Sequence, residues 1–445
     1  MFCYRLTAGR VRAVIRAVKG TRDLLPPTTA LWNHVEAVCR EVFRRYNYQE
    51  IRTPILEDVS LFVRSVGEET DIVTKEMYTF VDRDGSQLAL RPECTASVIR
   101  AYIEHRLDQR PGLQKLYYMG PMFRRERPQK GRYRQFYQIG AECIGSESPW
   151  IDAELIELVV RVLEALELRD FQLLLNSVGC RDCRPAYLQV LRRALQPVAS
   201  RMCVNCQRRA ETNPLRVLDC KVEADQAVIE QLPTILDHLC DRCREHFALV
   251  QRLLEDRQIS FQIQPRLVRG LDYYTRTTFE ITHGALGAQN AIAGGGRYDG
   301  LAEELGAKQP APGIGFSIGE DRLVLVLETL LTKQGRSLEP ALDLFIAPVG
   351  EEAVAEAARL ASRLRRQSLA VEVGYGGKLK RLLELAHRLG ARHTVIVGEN
   401  ELRQGRLTLR QMDSGEQIQV TEAELLDRLA RRSFNAAESA SRLLG

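Results

Sequence analysis

Two stretches, KLYYMGPMFR (Lys115–Arg124) and QFYQIGAE (Gln135–Glu142), decide the fold class of this 445-residue chain. Both have strand length and are rich in aromatic and β-branched residues, which favour β-structure. Only ten residues separate them, so we expect the two strands to pair as one antiparallel hairpin. The sequence therefore predicts that an antiparallel sheet forms the centre of the main domain.

The second strand carries polar residues on one side. Alternation places four residues on that face: Phe136, Gln138, Gly140 and Glu142. A face of this composition is unsuited to a hydrophobic core, because its amide and carboxylate would lack partners there. It predicts the polar floor of a ligand pocket, with room made by the glycine.

The loop between the two strands is strongly basic. From Arg124 to Arg134 it holds five arginines, one lysine and one glutamate. Guanidinium groups match phosphate oxygens in bidentate geometry, so the loop predicts phosphate binding. A solvated surface loop is the alternative.

A second informative stretch is LVRGLDYYTRTTFE (Leu267–Glu280). Arg269 precedes a glycine, which lets backbone approach a ligand closely. In an extended strand, Tyr273 and Tyr274 would point to opposite faces. An arginine inside so apolar a run favours a site for an anionic, aromatic-sized ligand, and a sheet edge closed by a salt bridge is the alternative.

Three further stretches extend the polar set. Glu93 and Thr95 stand where a strand gives way to a helix, so Thr95 is either the helix N-cap or a ligand-binding residue. Gly294–Gly300 predicts a glycine-rich turn. Pro312–Val324 predicts a strand that leads into a helix whose first turns carry Arg322. Because arginine is poorly placed for the dipole of a helix N-terminus, its position there favours polyphosphate binding.

The chain is long enough for two or three domains. Residues 1–17 are an arginine-rich, acid-free extension that we expect to be disordered, with a transit peptide as the alternative. Residues 18–334 form the main domain, with a helical insertion at about 178–260. A short strand is predicted at Ile51–Leu56, with its proline at an edge. Residues 335–445 show a β-α-β-α-β rhythm that predicts a small parallel sheet.

Composition sets the class of protein and its compartment. The chain is 45% hydrophobic and 27% charged with a net charge of +5, values typical of a soluble globular protein. The longest apolar runs have only strand length, so we expect no membrane association. Seven of the 11 cysteines fall between Cys180 and Cys243. This local clustering does not fit a secreted disulfide framework and predicts a reducing, cytoplasmic compartment.

The clustered cysteines form three CxxC pairs, with Cys220 left over. Two such pairs suit a four-thiolate structural zinc site, and reduced thiols in a helical insertion are the alternative. The candidate ligands are Cys180, Cys183, Cys203 and Cys206. Such a metal would brace the insertion and take no part in catalysis.

Taken together, these stretches resemble the class II aminoacyl-tRNA synthetases. Residues 31–54 resemble motif 1, the dimer-interface motif, residues 120–136 resemble motif 2, and residues 315–323 resemble motif 3. Residues 267–274 and 294–300 resemble the two signatures peculiar to histidyl-tRNA synthetases. The resemblance covers nearly the whole chain, and its motifs are highly specific.

The resemblance implies an α+β fold: a class II antiparallel-sheet catalytic core, a helical insertion and a C-terminal α/β anticodon-binding domain. It implies a homodimer that attaches L-histidine to tRNA(His) with ATP and Mg²⁺, through a histidyl-adenylate. One alternative is a non-catalytic, synthetase-like regulatory subunit of ATP phosphoribosyltransferase, which generally lacks the C-terminal domain and has eroded phosphate-binding arginines. Another is a class II ligase for a different amino acid.

The resemblance also implies a histidine pocket built from seven side chains: Glu93, Thr95, Gln138, Glu142, Tyr273, Tyr274 and Tyr298. The first three would hold the α-ammonium group, while Glu142 and Tyr274 would bind the imidazole. A site that contacts both ring nitrogens leaves its polar groups unpaired with an analogue, which gives specificity. The family usually has glycine between Glu93 and Thr95, where this chain has Cys94.

For ATP, the resemblance implies that Arg124 clamps the α-phosphate and Arg322 the γ-phosphate. Arg269 would stabilise the charge that develops at the α-phosphate as the carboxylate attacks. The chemistry then depends on positioning and electrostatics, with no protein nucleophile. The basic loop would face the tRNA acceptor stem, where the family reads an extra 5′ guanosine. It offers four candidate tRNA contacts: Arg127, Gln129, Arg132 and Arg134.

Overall fold

The computed structural model of the chain describes residues 14–68, 70–287, 290–336 and 342–429. The chain divides into two compact units, Met1–Ser337 and Leu338–Gly445. Most of the predicted N-terminal extension, residues 1–13, lies outside the described residues. Within the described ranges, none of the helices is both long and apolar enough to cross a bilayer.

The first unit contains two sheets. Its strands are β1 (Gln49–Glu50), β2 (Leu56–Asp58), β3 (Tyr78–Val81), β4 (Gln87–Leu90), β5 (Gln114–Phe123), β6 (Gln135–Ile144), β7 (Phe171–Ser177), β8 (Gln262–Ile263), β9 (Thr275–His283), β10 (Ala291–Arg297) and β11 (Gly313–Gly319). Its helices are α1 (Thr28–Arg45), α2 (Val59–Val66), α3 (Thr95–Glu104), α4 (Pro149–Ala165), α5 (Arg184–Leu195), α6 (Val204–Thr212), α7 (Glu223–Ile229), α8 (Asp241–Asp256), α9 (Leu301–Glu304) and α10 (Glu320–Lys333).

The larger sheet has eight described strands in the order β1-β5-β6-β11-β10-β9-β7-β8. The six inner strands are antiparallel, while β1 and β8 pair in parallel at the two edges. The predicted hairpin is confirmed as β5 and β6, which pair from Gln114↔Ile144 to Phe123↔Gln135. This arrangement confirms the predicted antiparallel α+β core. A small sheet, β2-β4-β3, lies beside α2 and α3 in the chain.

The predicted strand at Ile51–Leu56 is wrong. Residues 51–55 link β1 of the large sheet to β2 of the small one. Pairing with β5 ends where the Ile51 amide donates to the Tyr117 carbonyl at 2.8 Å. Pro54, three residues later, has no amide hydrogen with which the ladder could resume.

The insertion consists of α5 to α8 and their connections, and it lies between β7 and β8. Its helix α8 buries an apolar face that includes Phe247, Val250 and Leu254. The same helix packs against α4. The insertion therefore begins and ends at one edge of the large sheet, where β7 and β8 pair.

The second unit contains β12 (Leu344–Pro348), α11 (Glu351–Arg365), β13 (Val371–Val373), α12 (Leu379–Arg388), β14 (His393–Val397), α13 (Glu399–Gln404), β15 (Leu407–Gln411) and β16 (Gln417–Val420). The strand order is β13-β12-β14-β15-β16. The first three strands are parallel, which confirms the predicted β-α-β-α-β pattern. The antiparallel pair β15 and β16 was not predicted, because these strands are half-exposed and carry few apolar residues.

The first unit is anchored by a fully buried ion pair between α4 and β10. Arg297 and Asp152 are both 0% exposed, and Nε of the arginine donates to Oδ1 of the aspartate at 2.9 Å. Asp152→Ala would leave the guanidinium buried with only part of its charge compensated. We expect the variant to lose about 3 kcal/mol or more of unfolding free energy, measured by urea denaturation.

The matched control is Glu164→Ala, which removes the exposed partner of Arg161 on the same helix. We expect a loss of about 1 kcal/mol or less. Equal, small effects of the two substitutions would contradict the structural role given to the buried pair.

Candidate active site

A cavity of about 210 Å³ opens over the middle of the large sheet, where β6, β11 and β10 lie side by side. The structure brings most of the predicted site residues to its wall: Glu93, Thr95, Arg124, Arg132, Gln138, Arg269, Tyr273, Tyr274, Tyr298 and Arg322. These residues come from stretches far apart in sequence. The fold therefore brings them together around one cavity.

Glu93 closes one end of this cavity at the start of α3. Its carboxylate accepts hydrogen bonds from the amides of Thr95 and Ala96, at 2.8 and 3.0 Å. Thr95 is the first residue of the helix, so the N-cap alternative for Thr95 is wrong. The Glu93 side chain satisfies the helix amides instead, which leaves the threonine hydroxyl to bond elsewhere. Burial raises the pKa of Glu93, and those two amide hydrogen bonds oppose the shift.

Glu142 lies directly behind Thr95 and is fully buried in β6. Its Oε1 accepts a hydrogen bond from Thr95 Oγ1 at 2.7 Å. Its Oε2 and the Tyr298 hydroxyl are also buried, and hydrogen bonding from Tyr298 opposes the rise that burial causes in the pKa of Glu142. The carboxylate and the phenol can therefore satisfy each other in the empty protein.

The two adjacent tyrosines both face the cavity. Tyr273 and Tyr274 line the same wall, with ring centroids 4.9 Å apart. The expectation that they point to opposite faces is wrong, because β9 begins only at Thr275 and the tyrosines precede it in a turn. The Tyr273 hydroxyl lies 3.5 Å from Glu93 Oε2. The turn therefore places two phenols over one pocket, which a strand would not allow.

Glycines in β10 and β11 make room for these large side chains. The predicted turn at Gly294–Gly300 is wrong in its first half, because residues 294–296 lie within β10. A Cβ at Gly294 would lie 2.5 Å from Arg269 Nη2, and one at Gly296 would lie 2.9 Å from Tyr274 Cδ1. A Cβ at Gly315 would overlap the Glu142 carboxylate. The glycines thus allow protein side chains to lie flat against the sheet.

Four arginines line the cavity: Arg124, Arg132, Arg269 and Arg322. Arg124 donates through Nε to the Pro92 carbonyl at 2.9 Å, and Arg322 donates through Nη1 to the Ala291 carbonyl at 2.8 Å. Burial lowers the pKa of both arginines, and repulsion from Arg269 acts in the same direction. Like charges gathered in a cavity favour an anionic ligand with several charges.

Sequence reasoning missed the acidic partners of these arginines. Arg269 forms a close ion pair with Glu280 of β9, and Arg132 forms one with Glu126. Gln138 Nε2 donates to the Ser317 hydroxyl at 3.3 Å, while its Oε1 has no described partner. The signal for Glu280 was available, since a lone carboxylate stands between Phe279 and Ile281 in a strand.

The four candidate tRNA contacts divide into two groups. Arg127 and Gln129 are exposed at the tip of the basic loop. Arg132 lines the cavity, and Arg134 donates to the carbonyls of Lys19 and Glu126 at 3.3 and 3.4 Å. Only the first two side chains are directed away from the protein.

The predicted zinc quartet Cys180, Cys183, Cys203 and Cys206 is wrong as a set. The structure groups the first pair with Cys240 and Cys243, and the second pair with Cys220 and Asp225. The reason is that α8 returns the chain to the start of the insertion, so pairs distant in sequence become neighbours. Cys94, by contrast, belongs to the hydrophobic core, with Sγ 3.4 Å from the Thr53 hydroxyl, and it does not line the cavity.

Burial raises the pKa of Glu142 from 4.5 to about 8. The unfolded chain releases this proton above about pH 4.5, whereas the folded chain keeps it up to about pH 8, so rising pH in this window favours unfolding. Glu142→Gln removes this dependence. We expect the unfolding free energy of the variant, relative to the parent, to rise by up to about 1.4 kcal/mol per pH unit in the window and to level off above it. Urea denaturation across the window measures the difference; a difference that stays constant with pH would contradict burial of an ionisable Glu142.

Comparison with known proteins agrees with this geometry. The family model for histidyl-tRNA synthetase matches residues 20–323, and the anticodon binding domain model matches residues 343–432. The chain is 64% identical to a histidine–tRNA ligase of Solibacter usitatus, over 94% of this chain and 99% of the relative. It is 56% identical to one of Koribacter versatilis, over 93% and 95%. The apo histidyl-tRNA synthetase of S. aureus has a similar structure, with a TM-score of 0.77 and 36% identity, covering 94% of this chain and 100% of that one. The chain belongs to the histidyl-tRNA synthetase family.

Proposed function

We propose that this chain is a histidine–tRNA ligase that activates L-histidine with ATP and transfers it to the 3′ end of tRNA(His). The observation that carries the proposal is the presence of two chemically different sets of side chains around one cavity. One set consists of buried carboxylates and tyrosines, and the other consists of arginines. The first suits an imidazole and an ammonium group, and the second suits a polyphosphate.

In the proposed activation step, the imidazole lies between Glu142 and Tyr274, and the α-ammonium lies near Glu93, Thr95 and Gln138. The unpartnered Oε1 of Gln138 supports this placement, because it can accept a hydrogen bond from the substrate. Glu93 is the buried carboxylate nearest to Tyr273, and its charge favours an ammonium ion. Specificity for histidine then comes from side chains that bind both its imidazole and its α-ammonium group.

The substrate carboxylate attacks the α-phosphorus of ATP, and the bond to the outgoing pyrophosphate breaks. Arg124 binds the α-phosphate, Arg322 binds the γ-phosphate, and Arg269 stabilises the charge that develops at the α-phosphate. Gly294 allows the Arg269 guanidinium to lie against β10, where Glu280 orients it. The protein contributes positioning and electrostatic stabilisation.

Mg²⁺ takes only a few protein carboxylates and keeps waters and phosphate oxygens as its other ligands. Glu126, on the cavity wall, and Glu280, beside Arg269, fit that requirement. When bound, the ion would neutralise charge on the outgoing pyrophosphate.

The two alternatives have less support. A regulatory subunit would have no need of the three phosphate-binding arginines Arg124, Arg269 and Arg322, which this chain retains. A class II ligase for another amino acid would not need a carboxylate and a phenol at the end of the pocket, where Glu142 and Tyr274 stand.

The same proposal includes a homodimer formed through the region of residues 31–54. Exposed apolar side chains outside that region support it: Ile55 and Leu56 directly follow it, and Phe80 and Val81 lie in the same small sheet as Leu56. It also includes structural zinc in the insertion, with no part in the chemistry, and a reducing cytoplasmic compartment. The ten described cysteines are all free thiols, which suits such a compartment.

We expect Arg269→Ala to lower histidine-dependent exchange of labelled pyrophosphate into ATP by about a hundredfold to a thousandfold, because it removes charge stabilisation at the α-phosphate. The control is Arg266→Ala. Arg266 lies three residues earlier, donates to the Glu230 carbonyl and does not line the cavity. Full exchange activity in Arg269→Ala would contradict its proposed role, and exchange that does not depend on histidine in the parent protein would contradict the proposed substrate.

We expect Arg127→Ala and Gln129→Ala each to raise the KM for tRNA in aminoacylation by about tenfold, because they remove contacts to the acceptor stem. Pyrophosphate exchange, which needs no tRNA, should stay within about twofold of the parent. Arg110→Ala, at an exposed arginine outside the loop, serves as the control. If both loop variants charge tRNA as the control does, the loop is not the acceptor-stem contact.

A further inference from the structure

The insertion contains a four-cysteine cluster at the point where it leaves and rejoins the first unit. This entry cluster consists of Cys180, Cys183, Cys240 and Cys243, all of them free thiols. Cys180 Sγ lies 3.8 Å from both Cys183 Sγ and Cys240 Sγ, and Cys183 Sγ lies 3.9 Å from Cys243 Sγ. Zinc bound tetrahedrally to thiolates at about 2.3 Å requires sulfur–sulfur separations of about 3.8 Å. A disulfide requires about 2.05 Å, so the observed spacing is that of metal ligands.

The backbone around the entry cluster is also arranged for thiolates. The amides of Cys180 and Asp182 point at Cys183 Sγ and Cys180 Sγ, at 3.3 and 3.4 Å. Hydrogen bonds of this kind orient metal ligands and offset their negative charge. Gly179 has a φ of +66°, and a Cβ there would lie 2.9 Å from Cys183 Sγ. Glycine is thus required both by the backbone conformation and by the closeness of the sulfur.

A second cluster lies deeper in the insertion. This inner cluster consists of Cys203, Cys206, Cys220 and Asp225, whose ligand atoms all lie within 4.8 Å of one another. Cys203 Sγ lies 3.9 Å from Cys220 Sγ, and Cys220 Sγ lies 3.2 Å from Asp225 Oδ2. Asp225 is 2% exposed, and among the described residues no arginine or lysine donates to its carboxylate, which accepts from the Cys203 amide at 3.1 Å. Three thiolates and a carboxylate form a ligand set that zinc accepts.

Each cluster stands next to an arginine that bonds to the backbone of the active site. Arg184, which follows the entry cluster directly, donates to the Tyr274 carbonyl and to the Val178 carbonyl, the latter at 3.0 Å. Arg216, four residues before Cys220, donates to the Arg269 carbonyl at 3.2 Å. The clusters therefore hold the two segments that fix the position of a substrate-binding tyrosine and of the α-phosphate arginine.

We propose that the insertion binds two zinc ions, one in the entry cluster with four thiolates and one in the inner cluster with three thiolates and the Asp225 carboxylate. The first ion ties the start of α5 to the start of α8, which closes the insertion as a loop. The second ties α6 and α7 to the segment that carries Arg216. Both ions are structural, because all four ligand positions of each come from the protein. Their effect on catalysis, through Arg184 and Arg216, rests on the proposed function, whereas the metal content does not.

The test is the zinc content of the full-length chain, purified without chelators from cells grown with zinc, and measured by mass spectrometry of the metal. We expect two zinc ions per chain in the parent protein. Cys183→Ser with Cys243→Ser should retain one, Cys206→Ser with Asp225→Asn should retain one, and the combination of all four should retain none. Cys39→Ala, at a buried free cysteine of α1 outside both clusters, should retain two.

A second measurement does not depend on the folding of any variant. Replacement of zinc by Co²⁺ in the parent protein should give thiolate-to-cobalt charge-transfer absorption that grows until two equivalents are bound. Metal-free parent protein that binds no Co²⁺, or intact mass showing disulfides within the clusters of freshly purified protein, would overturn the proposal. A parent that holds one ion, lost on substitution in either cluster, would replace it with a single shared site.

Discussion

The convergence of three guanidinium groups, those of Arg124, Arg269 and Arg322, is the constraint on which the rest of the site depends. Placed together in a partly buried cavity, they repel one another, and burial removes much of the water that would screen them. Arg124 and Arg322 donate to the backbone carbonyls of Pro92 and Ala291, and Arg269 forms an ion pair with the Glu280 carboxylate. These contacts hold each arginine in place beside the cavity. In the proposed function, this group of arginines binds the phosphates of ATP.

The large sheet leaves enough space for this arrangement. Central strands normally carry side chains on both faces, and such side chains would fill the cavity. Here Gly294, Gly296 and Gly315 leave the surface of β10 and β11 bare, and the side chains of Arg269, Tyr274 and Glu142 occupy the room. Because glycine in a strand costs stability and offers nothing to pack, its presence at three central positions marks a sheet shaped around a ligand site. The same glycines explain why the site can hold both a buried carboxylate and a cluster of cations.

The central hairpin of the large sheet could be predicted from the sequence, whereas the exact start of some strands and the grouping of the cysteine pairs could not. Two stretches of strand length separated by ten residues were sufficient to predict the β5–β6 hairpin. Alternation along Gln135–Glu142 then predicted which residues of the second strand share a face. The glycines of β10 were read as a turn, because glycine has the same local preference whether it opens a turn or makes room beside a strand. The prediction that Tyr273 and Tyr274 point to opposite faces was wrong, because the start of β9 depends on pairing with a distant strand. The cysteine pairs were combined wrongly for a similar reason: spacing along the chain shows which pairs exist, but only the return of α8 shows which of them meet.

The proposed activity consists of two reactions, the activation of histidine with ATP and its transfer to tRNA(His). We propose that activation takes place in the cavity and that the exposed part of the basic loop contacts the acceptor stem. Arg184 and Arg216 of the insertion donate to the carbonyls of Tyr274 and Arg269. The most direct test is the transfer of labelled amino acids to the 3′ end of purified tRNA(His) and of a non-cognate tRNA by the full-length protein. The account predicts that histidine alone is transferred, and to tRNA(His) alone. Charging with another amino acid, or no charging by a protein that binds ATP and histidine, would contradict it.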